Sequence, residues 1–499
     1  MSHVAPEDLA HRAEEVLATL EGRELSKKER MGIPQQEMPA QDPVARRETM
    51  SEVTFGYTEA QARVEAARCL QCRNAPCIEG CPVRIDIPGF IKAIEDRRYG
   101  DSIEIIRRTS LLPAICGRVC PQENQCQERC TVGKALKDTF QSVSIGRLER
   151  YVADRAREQA DNPAPDVKPE TGKRVAVIGS GPASITVAAD LRREGHAVTI
   201  LEAFHRPGGV MIYGIPEFRL PKSIVDEEIE TLKRMGVEIK TNFLVGRTRT
   251  LQDLLDKDGY DAIFIGTGAG LPKFLGIEGE NLVGVFSANE YLTRSNMMKA
   301  YDRERADTPI FQPKVVAVFG GGNVAMDAAR TAVRLGAESV NVIYRRTRTE
   351  MPARAEEVDH AEEEGVVFHF LTSPKRILGD DDDRVVGIEC LSYELGEPDD
   401  SGRRRPIAIP GSEHVIPVDT VLVSIGNDSN PLITQTTPQL AANKWGNIIA
   451  DESGKTSMDR VYAGGDIVLG AATVILAMGE GRKAAAAING MLRGEPEET

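Results

Sequence analysis

Apolar and polar positions change their period along this chain, and each period predicts a different kind of element. Residues 6–22, PEDLAHRAEEVLATLEG, carry a helical spacing, and the polar, Pro-containing text MGIPQQEMPAQDP follows at 31–43. Residues 1–50 therefore predict a charged extension that docks against something larger. Helix-like spacing returns in YTEAQARVEAARCLQC, residues 57–72, and in PGFIKAIEDRRYGDSIEIIRRTS, residues 88–110. The stretch ADNPAPDVKPETG at 160–172 is a Pro-rich linker, after which short apolar runs alternate with Gly-rich turns, as in doubly wound α/β domains.

Two segments repeat the order strand, glycine turn, helix, strand. In KRVAVIGSGPASITVAADLRREGHAVTILEA, residues 173–203, Gly179 permits the tight turn and Gly181 admits a pyrophosphate. Pro182 and Ala183 open the helix whose N-terminus supplies amide donors, and Ser184 stands where Gly or Ala is usual. Glu202 ends the second strand, spaced to accept hydrogen bonds from a ribose. In the second copy, residues 313–346, Gly320, Gly322 and Ala325 repeat the turn with Asn323 beside them, but the strand ends in Arg345 and Arg346. A carboxylate there would repel a 2′-phosphate, whereas guanidinium groups clamp it, so this turn predicts NADP rather than NAD.

Two such turns in one chain suggest a flavin and a nicotinamide. DRVYAGGDIVLGAATVILAMGEGRKAA, residues 459–485, resembles the flavin-closing segment of flavoprotein reductases with two dinucleotide domains. That resemblance implies FAD at the first turn, with Asp466 at the ribityl chain and the helix after Thr473 facing the flavin. It also implies a nicotinamide domain inserted within the flavin domain, with DAIFIGTGAGLPK, which contains Gly268, and DTVLVSIGNDSN as the two crossings. The stretch GGVMIYGIPEFRLP, with Gly208, Gly209 and Pro216, is expected to shape the wall beside the flavin. The first dinucleotide domain opens without a C-x-x-C, which argues against a disulfide reductase.

Composition narrows the remaining classes. The net charge of −14 offers no broad basic face for nucleic acid or an anionic membrane. Residues 1–17 lack the basic-then-apolar order of a secretory signal, and the expected location is the cytoplasm. Eight of the nine cysteines fall in two groups, Cys69, Cys72, Cys77 and Cys81, then Cys116, Cys120, Cys126 and Cys130. Zinc is the competing holder of such thiols, but eight of them beside a flavin favour iron–sulfur clusters, since a flavin splits an electron pair into the single electrons that clusters carry. Cys390, alone in GIECLSYEL, reads as a core residue.

The segments RCLQC, GCPV, GRVCP, VAVIGSGPAS, GGVMIYGIPEFRLPK, GGGNVAMDAAR and YRRTRTEMPA together resemble the family of the small (beta) subunit of NADPH-dependent glutamate synthase. Its relatives are the large subunit of NADH-dependent ferredoxin:NADP oxidoreductase and the N-terminal half of dihydropyrimidine dehydrogenase. The resemblance implies an α+β multidomain chain: an extension at 1–50, a helical domain with two 4Fe-4S clusters at 51–165, the first part of an FAD domain at 173–295, an inserted NADPH domain at 296–425, and the second FAD part at 426–499. It implies Cys69, Cys72, Cys77 and Cys130 on one cluster and Cys81, Cys120 and Cys126 on the other, with Glu149 as the non-cysteine fourth ligand and Cys116 as the alternative. Electrons would then pass from NADPH through FAD and the clusters to a larger partner subunit, since no amidotransferase or large barrel is present in these 499 residues. The competing readings are the NADPH-binding subunit of an electron-bifurcating ferredoxin/NAD transhydrogenase and a non-catalytic scaffold of a redox complex.

Overall fold

The computed structural model describes residues 3–159, 165–399 and 402–495. Most of the Pro-rich linker's first half, and both extreme ends of the expected domains, lie outside the described residues. The N-terminal third is helical: Pro6–Leu20 starts with Pro in its first turn, and Glu59–Ala67 starts at a Thr58–Gln61 capping box. The continuous pattern at 88–110 divides into helices Ile87–Glu95 and Tyr99–Arg107. Arg97 stands between them at φ 60°, a left-handed conformation that cannot continue a helix.

The first parallel sheet runs Val461–Ala463, Ala262–Ile265, Arg174–Ile178, Ala197–Leu201, Glu238–Lys240. The second runs Val285–Ser287, Thr420–Val423, Val315–Phe319, Ser339–Tyr344, Val367–Phe370. The chain thus leaves the first unit after Ile265 and returns to it at Val461. The two crossings are joined to each other, because Asn427–Asp428 pairs antiparallel with Leu271–Pro272.

The second unit begins earlier than the boundary expected at residue 296. Strand Val285–Ser287 belongs to its sheet, and helix Ala288–Asn296 packs in its core through Tyr291 and Leu292. A three-residue strand is too short to display a period in sequence. One face of this sheet is covered by an antiparallel sheet built from Thr372–Gly379, Val385–Pro398, Arg404–Ala408 and His414–Ile416. Cys390 is fully buried in that layer beside Ile388 and Val421.

The helical third and the first dinucleotide unit share one core, in which Ile94, Ile106 and Leu148 are continuous with Val187, Ile200 and Met478. The extension docks on the chain itself. Arg46, 1 % exposed, pairs with Glu363 and Glu364 of the second unit at 2.7 and 2.8 Å. Glu52 pairs with Arg118 and Arg150 of the helical third at 2.7 and 2.9 Å, and the Val53 amide donates to the Phe218 carbonyl at 2.9 Å.

Candidate functional site

Gly179 has φ +90°, and a Cβ there would stand 2.6 Å from the Gly266 carbonyl oxygen, so only glycine closes this turn. Gly181 is different: a Cβ on it would meet nothing within 4 Å, which leaves open room above the N-terminus of helix Pro182–Arg193. That room beside unpaired first-turn amides is what a diphosphate occupies. Ser184 replaces the usual small residue without loss, because its buried hydroxyl donates to the Gly266 carbonyl at 3.3 Å. Glu202 is buried, accepts from the Phe204 amide at 2.7 Å and from the Ser180 hydroxyl, and burial pushes its carboxyl above the ordinary value.

Gly179, Gly181, Pro182, Ala183, Glu202, Gly209, Gly268, Asp466 and Thr473 all line one cavity of ≈ 680 Å³. The size and the mixed apolar and polar wall suit a dinucleotide. Burial pushes Asp466 up to about 6, against the amide of Ala472 that donates to it. Thr473 caps helix Val474–Arg493 by accepting from the Leu476 amide. Gly208 and Pro216 are buried behind the wall, which is formed by Gly209, Val210, Tyr213 and Ile215. Tyr213 was not singled out from sequence; burial, and then the charges of Asp466 and Glu202, raise its hydroxyl to about 12.

The helix after the second turn reaches the same cavity. Asn323, Val324 and Asp327, from the start of helix Asn323–Arg334, line it together with Arg219. Asn323 Oδ1 accepts from the Arg354 amide at 3.0 Å, and Ala325 is buried under the turn formed by Gly320 and Gly322. The arginine pair divides. Arg345 is exposed, while Arg346 is buried, donating to the Arg404 carbonyl at 2.8 Å and pairing with Asp399 at 2.7 Å. The sequence spacing could not show that a distant hairpin engages one guanidinium of the two.

The thiols sort by position in the fold. Cys69, Cys72, Cys77 and Cys130 line one small apolar cavity, and the first three are half-buried. Burial pushes Cys69 up to about 11 and Cys77 up to about 12. Two polar side chains touch this set: Gln71 Nε2 donates to Cys69 Sγ at 3.4 Å, and the Cys72 thiol donates to Thr131 Oγ1 at 3.3 Å. Cys81, Cys116, Cys120 and Cys126 are buried deeper. Burial raises Cys81 to about 11 and Cys126 well above its ordinary value, with the Glu149 carboxylate adding to both. Glu149 is buried, its Oε1 has no hydrogen-bond partner among the described residues, and burial raises its carboxyl to about 8. A buried carboxylate left unpaired among thiols is an uncompensated cost unless a cation completes it. Cys116, by contrast, lies 3.6 Å from Met478 Sδ, and the neighbouring Cys120 and then burial raise its thiol well above the ordinary value. Among the described residues no three ligand-type side chains converge closely enough to hold a single ion. Four thiols around a cavity suit a multi-iron group, whose metals stand apart.

The chain on either side of this deeper set's Cys120 reaches the dinucleotide cavity. Val119 and Pro121, which flank Cys120, line it. A Cβ on Gly479 would lie 3.1 Å from the Pro82 carbonyl oxygen, which shows how closely the C-terminal helix lies on the residue after Cys81.

Comparison with known proteins agrees with this geometry. The family described as dihydropyrimidine dehydrogenase domain II, 4Fe-4S cluster, matches residues 46–161, and the pyridine nucleotide-disulphide oxidoreductase family matches 173–488. Within 173–488 the sole cysteine is Cys390, so no redox disulfide accompanies that match. The chain is 38 % identical to the glutamate synthase [NADPH] small chain of Escherichia coli, covering 87 % of this chain and 92 % of that one. It is 41 % identical to the beta subunit of NADP(+)-dependent formate dehydrogenase from Moorella thermoacetica, covering 84 % of this chain and 60 % of that one. Mycobacterium tuberculosis FprA in complex with NADPH shares the fold, with a TM-score of 0.53 at 21 % identity, over 66 % of this chain and 87 % of that one. With the first glycine turn, the helix after the second and the residues flanking Cys120 all on one cavity, the chain belongs to the glutamate synthase small-chain family, oxidoreductases that work with FAD, NADPH and 4Fe-4S clusters.

Proposed function

We propose that the chain is the subunit that oxidises NADPH and delivers the electrons to a larger partner, in the role of a glutamate synthase small chain. The observation that carries this reading is the single cavity lined by the first glycine turn, the helix after the second turn, and Val119 and Pro121 of the cysteine-rich region. FAD at the first turn and NADPH at the second would supply two-electron chemistry, and two 4Fe-4S clusters would supply one-electron carriage.

The chain's own residues hold and orient these groups. Gly179, Gly181 and the helix from Pro182 would hold the flavin diphosphate, with Glu202 on its ribose, Asp466 on the ribityl chain, and Gly268, Gly209 and Thr473 along the ring. Gly320, Gly322 and Asn323 would hold the nicotinamide dinucleotide, with Arg345 on its 2′-phosphate. Cys81, Cys120, Cys126 and Glu149 would hold the cluster nearer the cavity, and Cys69, Cys72, Cys77 and Cys130 the one nearer the surface, where three of the four thiols are half-exposed. Val119 and Pro121 exclude water between the cavity and the deeper thiols. Clusters held by reduced thiolates suit a cytoplasmic setting.

The partner is open to test. Glutamine-dependent glutamate formation from 2-oxoglutarate and NADPH by the complex of this chain with its co-purifying partner supports the assignment, and its absence in a complex that still oxidises NADPH rejects it. The 41 % identity to a formate dehydrogenase beta subunit favours a second reading, with the same cofactors and a different partner. Mass spectrometry of the chain that co-purifies decides between them.

A further inference from the structure

A loop of the first dinucleotide unit, residues 216–222, is planted in the second. Phe218 is fully buried, with the Arg334 and Arg330 guanidinium carbons 3.9 and 4.8 Å from its ring centre. Arg219 Nη1 reaches both oxygens of Asp327, at 2.7 and 2.8 Å, and its Nε lies 3.3 Å from Glu357 Oε1. The side chains of the pair are 6 % and 5 % exposed, yet both border the shared cavity. Asp327 lies one turn into the helix whose N-cap is Gly322, so what holds Asp327 holds the second turn.

The near end of the loop is equally fixed. Lys222 Nζ donates to the carbonyls of Met211 and Leu220 at 3.0 Å each, and to that of Ile215. Met211 and Ile215 flank Tyr213 in the wall on the flavin side. A short, stiff path therefore runs from that wall through Lys222 and Arg219 to Asp327 and the second glycine turn. The covalent crossings are tied to each other through Asn427–Asp428 and Leu271–Pro272, and Asn296 Nδ2 of the second unit donates to the Tyr213 and Gly214 carbonyls at 3.3 and 3.2 Å, so the Arg219–Asp327 pair is the link that acts on the helix of the second glycine turn.

We propose that Arg219 is a positioning residue for NADPH oxidation: through Asp327 it sets the second glycine turn at a fixed distance from the flavin-side wall. Reaction rate depends steeply on such placement, since a displacement of about 1 Å can cost about a hundredfold. The proposal rests on the reading that FAD and NADPH occupy the two turns.

The test compares Arg219→Gln, Arg219→Lys, Asp327→Asn and the double variant Arg219→Gln/Asp327→Asn in the complete protein. Anaerobic stopped-flow at saturating NADPH is expected to show flavin reduction slowed roughly tenfold or more in each neutral variant, while the NADP+ dissociation constant stays within about twofold. The double variant should be no slower than the worse single variant, because both remove one interaction. Arg219→Lys should recover part of the rate. Photoreduction of the flavin, which bypasses NADPH, should remain at the wild-type rate. In cofactor-stripped protein, hydrogen exchange should rise in residues 209–222 and 323–334 and nowhere else. A saturating rate unchanged in Asp327→Asn, or multiplying losses in the double variant, would overturn the proposal. If Arg219→Gln loses FAD, Asp327→Asn decides alone. A wild-type flavin that NADPH does not reduce would defeat the cofactor reading instead, and the exchange data would still decide whether the tether exists.

Discussion

Gln125 donates its side-chain amide to Thr473 Oγ1 at 3.4 Å, which joins the residue before Cys126 to the cap of the C-terminal helix at the cavity edge. This contact ties the deeper thiol set to the flavin side. Gln125→Leu is expected to slow cluster reduction after photoreduction of the flavin, with NADPH oxidation by an artificial acceptor unchanged. The loss of one partly buried hydrogen bond should cost about 1 kcal/mol. Flash photolysis with an electron paramagnetic resonance readout checks it.

Glu149→Gln keeps the shape of a buried side chain and removes its charge. One cluster signal should be altered or lost, iron content should fall, and FAD should remain bound. Unchanged iron and two unchanged cluster signals would exclude Glu149 as a ligand and leave Cys116 as the candidate, to be tested by Cys116→Ser.

The two arginines after the second strand should behave differently when changed one at a time. Arg345→Ala should weaken NADPH about ten- to a hundredfold and leave NADH unaffected, because a guanidinium–phosphate contact is charge-assisted. Arg346→Ala should preserve that preference and instead lower stability by about 2 kcal/mol, the scale of a lost hydrogen bond to a charged group. Steady-state KM values for both nucleotides, with thermal melts, separate the two.

Glu228 borders a second small cavity with Arg107 and Arg157, and burial pushes its carboxyl up to about 8 despite those arginines. The folded chain then keeps a proton that the unfolded chain releases from its ordinary value upward. Stability contributed by this group is therefore lost as pH rises through that window to about 8, by at most about 1.4 kcal/mol per pH unit. Glu228→Gln should flatten this slope and melt higher than the wild type at pH 9. Melting temperatures measured from pH 5 to 9 test the sign.

Arg46→Ala removes the buried cation by which the extension grips the second unit. Burial pushes Glu364 up, but Arg330 and Arg334 override it and hold its carboxyl well below the usual range. Glu364 thus keeps partners when Arg46 is lost, and the expected cost is about 3 kcal/mol, at the low end for breaking a buried pair. The extension should become cleavable by protease at residues 38–57 while the two dinucleotide units stay intact.

Everything that rests on a few neighbouring residues was determined by the sequence: both glycine turns, Glu202, Asp466, the two cysteine groups and the inserted second unit could be read from it directly or by resemblance. Those features follow from local rules, such as a turn that needs a left-handed glycine, an acid at the end of a strand, or thiols at short spacing. Only the tertiary structure decided that Arg346 is held by Asp399, 53 residues away, and so differs from its neighbour Arg345. It likewise decided that Glu149 is buried with its Oε1 unpartnered among the described residues, and that Arg219 meets Asp327 across 108 residues, while the grouping of Cys130 with Cys69, Cys72 and Cys77 on one cavity was already implied by resemblance. The reason is physical: a side chain's charge and freedom are set by groups that pack against it from other elements, and their approach leaves no periodic mark along the chain.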